Sequence, residues 1–251
     1  MRNYIKAELY RNFNRIYFWG YTFSIAAFAV LINILLKISN VSETAISLVE
    51  LIKISTHMLI LPIFLIAAIV EMVTAEENKN LTSKNIISFG LSRNKFVLSK
   101  VIVSIILSII AAVIILTLFF GSGTLLFGIG KGFSTSIVIN FIKILLVSTL
   151  LWIGSITICT FLASIIKNNT TFAFAYAALL VIFSKVIKLL SVFVSDKFQY
   201  IYDILISTQI NKLTAPELTN STLICAALIG IVYTIVFTVL TMICVKTKEV
   251  K

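Results

Sequence analysis

The chain has 251 residues, 59% of them hydrophobic, and its mean hydropathy is +1.08. A soluble domain is only about 45–50% apolar even when glycine is counted, and no soluble core of this length hides so much apolar surface. These values exclude a soluble globular protein and predict a polytopic membrane protein.

The net charge of +11 comes from lysines and arginines that mostly flank the apolar runs. Cations scattered in this way favour attraction to an anionic membrane surface over binding of nucleic acid. The three cysteines lie within apolar runs and lack the spacing of a metal site. They are Cys159, Cys225 and Cys244, and we interpret them as packing residues.

The first 15 residues predict an amphipathic helix at the cytoplasmic membrane interface. Ile5, Leu9 and Phe13 recur at four-residue intervals and so share one helical face. Most of the polar residues lie off that line: Arg2, Lys6, Asn12 and Arg15. A helix with these two faces is suited to the boundary between headgroups and hydrocarbon.

Six apolar runs are long enough to span a bilayer. A helix needs about 20 apolar residues, because it rises about 1.5 Å per residue through a hydrocarbon core about 30 Å thick. The runs are residues 16–36, 54–74, 97–120, 137–166, 171–194 and 223–245. The first is too long for a signal peptide and lacks a small-residue cleavage site, which indicates an uncleaved anchor. Since an open sheet would leave backbone groups unpaired in lipid, the sequence predicts an all-α fold with six transmembrane helices.

The distribution of cations predicts the orientation. With the N-terminus in the cytoplasm, 13 of the 21 lysines and arginines fall in inner segments, as the positive-inside bias favours. The even number of spans then places both termini in the cytoplasm. Residues 185–221, which are aromatic and still apolar, predict short outer helices that dip into the outer leaflet or cap the bundle.

The inner loop, residues 75–96, combines cations with apolar residues. Thr82 or Ser83 can cap a helix start, and Gly90 can end that helix in the left-handed conformation. Residues 82–89 then form about two helical turns. Their apolar side chains are Ile86, Ile87 and Phe89. Ser92 is expected to cap the next helix, whose cytoplasmic end is marked by Arg93, Lys95 and Lys100. A short helix of this kind either rests on anionic lipid or docks in a groove of a partner, with basic residues such as Lys84 at its rim.

Other polar residues are candidates for lining a substrate pathway. Lys53 and His57, four residues apart, share a helical face, and Lys185 and Lys188 do so three residues apart. With Lys143 in the fourth span they form the candidate set, the alternative being interfacial side chains that reach water. Pro62 is expected to interrupt the second span. Glu71, near the inner end of that span, predicts a structural partner among the arginines and lysines.

No catalytic or nucleotide site emerges from the sequence. In residues 121–133, "GSGTLLFGIGKGF", Leu125 stands where a phosphate-binding loop needs glycine and Gly132 where it needs serine or threonine. The pair Glu76 and Glu77 suggests an intramembrane protease, but the single histidine, His57, cannot build a two-histidine metal site. No cofactor or metal is therefore expected in this chain.

The order of these features resembles the ABC-2 type permeases of ABC exporters. The resemblance rests on the early glutamate of "IKAELYRNFNRIYFW", two spans, and then "NLTSKNIISFGLSRNKFVLSK". Its motif positions are Gly90, Ser92, Arg93 and Lys100. One departure is Leu81-Thr82, where the family often has glycine and threonine.

The resemblance implies a single permease domain, residues 1–251, in a bacterial cytoplasmic membrane. Residues 82–89 would be a coupling helix seated in a separate ATPase subunit, which binds ATP and Mg. A second six-span permease, identical or related, would complete the pathway. Small permeases of this family often export amphipathic or antimicrobial peptides or provide self-immunity. The residues assigned to ATPase coupling are Thr82, Ser83, Lys84, Ile86, Ile87, Phe89, Gly90 and Arg93.

Two other functions stay open at this point. An immunity protein could bind a peptide at the membrane without any ATPase. An ion channel would want a repeated polar filter or rings of acids, and none appears in the sequence.

Overall fold

A computed structural model describes residues 1–39, 46–75, 90–130, 132–166, 168–215 and 218–247, and these ranges contain helices and no strand. The helices are α1 (Arg2–Phe13), α2 (Ile16–Ser39), α3 (Leu48–Ala75), α4 (Arg93–Phe127), α5 (Thr135–Ile165), α6 (Asn169–Phe193), α7 (Lys197–Ile204), α8 (Ile206–Leu213) and α9 (Asn220–Thr247). The predicted all-α fold is confirmed.

Six of these helices, α2 to α6 and α9, are long and apolar enough to cross a membrane. Each coincides with one of the six predicted runs, to within one residue where a run passes the helix end, so the number of spans is confirmed. Some helices extend well past their runs: α3 starts at Leu48, before residue 54, and α4 continues to Phe127, after residue 120. Hydropathy marks only the stretch matched to hydrocarbon, whereas backbone hydrogen bonding continues through polar residues such as Glu50 and Lys53.

The two ends of the bundle are formed by different helix segments. At one end, the N-terminal face, lie α1, the start of α4 and the end of α9. At the opposite end, the hairpin face, Leu48 N–H donates to Gly128 O at 3.1 Å, which joins the start of α3 to the end of α4. Both described termini lie at the N-terminal face, as six spans require.

Helix α5 runs through the main apolar core. There α9 crosses it so closely that the backbones of the two helices are in contact. A Cβ atom on Gly230 would lie 2.8 Å from the Leu150 carbonyl group, and one on Gly154 would lie 3.1 Å from Tyr233 Cβ. Small residues let helix backbones approach closely, and the resulting van der Waals packing is one source of attraction between helices in lipid. The pair Gly154 and Gly230 therefore sets the α5–α9 separation.

Helix α3 is interrupted twice, once in its first half and once at its C-terminal end. It consists of Leu48–His57, a 3-10 turn at Met58–Ile60, Leu61–Val70 and a π-helical turn at Glu71–Ala75. Pro62 is the second residue after the 3-10 turn, in agreement with the predicted interruption, because proline has no N–H group to donate the regular helical hydrogen bond.

Three side chains from other helices donate hydrogen bonds to the carbonyl groups around Pro62. The pairs are Trp152 Nε1 to Leu59 O at 3.0 Å, Tyr176 Oη to Ile63 O at 3.0 Å and Tyr21 Oη to Leu65 O at 2.6 Å. A proline is tolerated in a span when neighbouring helices satisfy the backbone near it. Helix α3 is thus held in its irregular shape by α2, α5 and α6.

Helices α7 and α8 form a hairpin that enters the bundle from the hairpin face, in agreement with the short helices predicted within residues 185–221. The Ile206 Cδ1 atom lies 3.4 Å from the position of a Cβ on Gly154, far along α5. The hairpin is closed by polar bonds: Lys212 Nζ donates to Asp203 Oδ1 at 2.8 Å, and the Gln209 amide donates to Asp203 O. Residues 185–193 belong to α6 and not to this hairpin.

Candidate functional site

Two of the residues assigned to ATPase coupling, Gly90 and Arg93, lie at the N-terminal face, where α4 begins. Thr82, Ser83, Lys84, Ile86, Ile87 and Phe89 lie outside the described residues. Gly90 has a φ of +94°, the left-handed conformation expected of a residue that ends a helix. Ser92 holds the N-cap position of α4 in an extended conformation, but its side chain makes no capping hydrogen bond. The prediction is therefore right about the position of the cap and wrong about its hydrogen bond. Because this helix start is exposed, water can satisfy its backbone N–H groups.

Arg93 joins the first turn of α4 to the last turn of α9. Its Nη1 atom donates to the carbonyl oxygens of Val245, at 3.3 Å, and Lys246, at 2.5 Å. The last carbonyls of a helix have no intrahelical partner and carry its negative dipole end, so a guanidinium satisfies both requirements. Arg93 thus ties the third span to the sixth.

We expect Arg93→Ala to loosen the end of α9. A hydrogen bond to a charged group is worth about 1.5–3 kcal/mol, so amide exchange in the last turn of α9 should rise about tenfold. Amide hydrogen exchange of the protein in detergent measures this directly. Lys95→Ala, an exposed change in the same turn of α4, is the matched control and should leave α9 unchanged. Equal exchange in both variants would contradict the assigned contact.

A buried ion pair connects α1 to α4. Lys100 Nζ donates to Glu8 Oε2 at 2.8 Å, with 1% of the lysine side chain and 5% of the glutamate side chain exposed. Arg11 Nη2 donates to the same carboxylate oxygen, also at 2.8 Å. Charges are buried in this way only when they are paired, because removing each from water is expensive.

Aromatic rings and an amide complete the surroundings of this ion pair. Lys100 Nζ lies 5.6 Å from the Tyr4 ring centre and 5.5 Å from the Phe96 ring centre, within the range of a cation–π interaction. Asn12, which is fully buried, donates from Nδ2 to Glu8 O at 2.8 Å. We refer to Tyr4, Glu8, Arg11, Phe96 and Lys100 as the charge cluster.

The charge cluster corrects two predictions from the sequence. Lys100 was expected to mark the cytoplasmic end of the third span as an interfacial cation, but its side chain is buried against α1. Asn12 was placed on the polar face of α1 and is also buried, together with Glu8. The available signal was that Glu8 is the only acid in the first 42 residues and that Lys100 stands inside an apolar run.

The predicted apolar line of α1 faces the bundle. Ile5, Leu9 and Phe13 are partly buried against a cluster formed by α2, α3 and α4: Phe18, Ile69, Met72, Val73, Val103, Leu107 and Ala111. Trp19 Nε1 also donates to Phe13 O at 2.7 Å, which fixes the corner between α1 and α2. Whether α1 lies at a membrane interface stays a prediction; its packing joins it to three spans.

A third polar contact joins α3 to α6. Asn169 Nδ2 donates to Glu71 Oε1 at 2.9 Å, where the π-helical turn of α3 meets the first turn of α6. The neighbouring Asn168 caps α6 by accepting from the backbone N–H groups of Thr170 and Thr171. The expected arginine or lysine partner of Glu71 is wrong, because the bonding partner in the described chain is an amide. The N-terminal face is therefore crossed by contacts between α1 and α4, α4 and α9, and α3 and α6.

The candidate pathway residues do not form one cluster. Lys53 is exposed and pairs with Glu50 at 2.8 Å, and His57 is exposed one turn further along α3. Lys143 on α5 is exposed, as are Lys185 and Lys188 on α6. In the described parts of the chain no hydrogen bond or ion pair joins these three helices through the five residues. Their role in a pathway stays a prediction.

Six apolar helices that can span a membrane, with a seventh attached by buried charges, define a multi-pass helical membrane protein. The family model described as ABC-2 family transporter protein matches residues 5–185. The chain therefore belongs to the ABC-2 transporter family, and it is an ABC-2 type permease. All five residues that carried the sequence resemblance, Glu8, Gly90, Ser92, Arg93 and Lys100, lie within the matched range. Among curated proteins, none matches the chain.

Proposed function

We propose that this chain is the membrane-spanning subunit of an ATP-driven ABC exporter, with a separate cytoplasmic ATPase and a second six-span permease as its partners. The family match supports a transport role for the bundle. The observation that carries the coupling mechanism is the buried pair of Glu8 and Lys100, which fixes α1 to the base of α4. ATP and Mg would bind the ATPase, and this chain would contribute no catalytic group.

The contacts at the N-terminal face give the coupling a physical route. Residues 76–92 connect the end of α3 to the start of α4, so a force on that segment acts on both helices. Through Lys100 and Glu8 the displacement of α4 reaches α1, and through Arg93 it reaches α9. The contact of Glu71 with Asn169 passes the displacement of α3 to α6. Packed helices joined by short contacts move together. A switch of the loop between two states would therefore reorient most of the bundle.

The N-terminal face is then the cytoplasmic face, as the distribution of cations favours, and the hairpin face is the outer one. The substrate would be an amphipathic or antimicrobial peptide, moved outward for export or self-immunity. This assignment rests on the resemblance to the small permeases of the family, whose length the 251 residues of this chain match.

Copurification from native membranes tests the function. We expect an ATPase to copurify with the tagged full-length chain, and the double substitution Ile86→Glu/Phe89→Glu to remove it. Ile129→Glu, an exposed position in the loop after α4, is the matched control and should retain the ATPase.

The opposite result favours the rival function. If no ATPase copurifies, and cells carrying Ile86→Glu/Phe89→Glu keep the resistance to peptide that the unaltered chain confers, the chain is an ATPase-independent peptide-binding or immunity protein. Copurification that is equally strong in all variants would separate ATPase binding from residues 82–89 and contradict the coupling assignment.

A further inference from the structure

An apolar groove opens between α5, α6 and α9, beneath the tip of the α7–α8 hairpin. Its volume is about 260 Å³, and its lining includes Leu179, Phe183, Ile206, Tyr233 and Phe237. The rings of Tyr233 and Phe237 stack with a centre-to-centre distance of 5.7 Å and form one wall. The groove therefore has an apolar lining suited to hydrocarbon.

An irregular turn of α6 also lines the groove. Leu179–Phe183 is a π-helical turn between two regular segments of α6, and three of its residues line the groove. A π-helical turn widens a helix locally and is frequent at functional sites. Here the irregular turn and the stacked rings line the same groove.

The depth of the groove corresponds to the middle of a bilayer. Leu179 lies 10 residues and Phe183 14 residues beyond Asn169, the first residue of α6. At about 1.5 Å per residue these positions are about 15–21 Å along the helix, near the midplane of a hydrocarbon core about 30 Å thick. Lys185 and Lys188 follow at about 24–28 Å, close to the headgroups on the hairpin face.

The two lysines supply positive charge directly above the groove. Both are exposed, and no acid forms an ion pair with either among the described residues. Lys188 stands one helical turn beyond Ser184, a lining residue, and its Nζ lies 6.0 Å from the Tyr202 ring centre. The nearby Asp203 is already bound to Lys212. The charge of the lysines is thus available to an anion at the level of the headgroups.

We propose that this groove binds an anionic phospholipid in the leaflet of the hairpin face. Lys185 and Lys188 hold its phosphate, and the end of one acyl chain occupies the space between the π-helical turn and the Tyr233–Phe237 wall. Along the axis of α6 the lysines lie about 3–13 Å beyond the residues that line the groove, so an acyl chain about 15 Å long whose phosphate binds the lysines reaches the groove with its terminal part. The site is independent of the ATPase, since it lies far from the N-terminal face.

The test uses the full-length chain in nanodiscs of phosphatidylcholine with a minor fraction of phosphatidylglycerol that carries a photoreactive group at the end of one acyl chain. Mass spectrometry should locate adducts on residues 179–183 and 233–237. Lys185→Gln/Lys188→Gln should lower the adduct yield on the order of tenfold, since each lysine near anionic lipid contributes to binding. Lys143→Gln, an exposed lysine on α5, is the matched control and should leave the yield unchanged. Ser184→Phe should fill the groove and remove the adducts while leaving helix content unchanged.

Three results would overturn the proposal. Adducts spread evenly over the exposed faces of α2 and α9 would mean ordinary lipid contact. Equal yield from a phosphatidylcholine probe, or from Lys185→Gln/Lys188→Gln, would remove the role of the lysines. Loss of lipid adducts accompanied by crosslinks between two copies of the chain would assign the groove to a permease interface.

Discussion

Replacing Glu8 by glutamine is expected to destabilise the protein by about 3–5 kcal/mol, the usual effect of removing one partner of a buried ion pair. The reason is that two cations, Lys100 and Arg11, lose the carboxylate oxygen they share. Glutamine keeps the shape of the side chain and one acceptor oxygen, so the change removes the negative charge and one acceptor without leaving a cavity. Denaturant unfolding in detergent measures the free energy, and limited proteolysis between α1 and α2 should report the release of α1.

The chain contains its own control for this experiment. Glu50 also pairs with a lysine at 2.8 Å, but 48% of its side chain and 62% of the Lys53 side chain are exposed. An exposed pair contributes about 0–1 kcal/mol, so Glu50→Gln should be nearly neutral. If Glu8→Gln and Glu50→Gln lower the free energy of unfolding equally, the charge cluster does not hold α1 in place.

Replacing Gly230 by alanine is expected to disrupt the packing of α5 on α9. The added Cβ would lie 2.8 Å from the Leu150 carbonyl carbon and oxygen, which are backbone atoms that a side-chain rotation cannot move. Overpacking of this kind costs about 1–3 kcal/mol or more. The expected result is a lower unfolding midpoint in detergent and a lower yield of folded protein.

Gly20→Ala separates this clash from the general effect of removing a glycine. Nothing lies within 4 Å of a Cβ on Gly20, which also stands inside a spanning helix. Alanine favours a helix over glycine by about 1 kcal/mol, so Gly20→Ala should be neutral or slightly stabilising. A Gly230→Ala variant as stable as Gly20→Ala would contradict the close α5–α9 crossing.

The spans could be predicted from the sequence because their cause is local. A bilayer sets a minimum length of apolar helix, and each of the six runs satisfies it without reference to any other. The short helices before α9 were predicted for the same reason, from an aromatic and apolar segment too broken to span. The helix ends were predicted less well, since polar residues extend α3 and α4 beyond the hydrocarbon.

The charge cluster could not be predicted because its members meet only in the folded bundle. Glu8 and Lys100 are 92 positions apart, and Arg93 bonds to backbone atoms 152 positions further along. A sequence pattern treats every cation beside an apolar run as an interfacial residue, which placed Lys100 among the membrane anchors. The resemblance to a family marked Lys100 and noted the early glutamate, but it gave no reason to pair them.

The irregular segments of α3 show the same limit. Pro62 predicts one interruption, because the missing backbone N–H of proline is a local property of the residue. The hydrogen bonds from Tyr21, Trp152 and Tyr176 that support this region come from three other helices. In the sequence these three residues are indistinguishable from other aromatic residues of apolar runs. Their donor groups reach the carbonyl groups of α3 only in the folded bundle. For a similar reason the sequence predicts a cationic partner for Glu71, whereas in the folded bundle Asn169 donates a hydrogen bond to it.

The central claim is that an ATPase binds the segment between α3 and α4 on the cytoplasmic side. Its most direct test places a photoreactive amino acid at position 86 of the full-length chain in native membranes. The account predicts a covalent adduct with an ATPase, formed on the cytoplasmic side, whose yield changes when a non-hydrolysable ATP analogue is added. Adducts with lipid alone, or labelling of position 86 from the outer side, would contradict it.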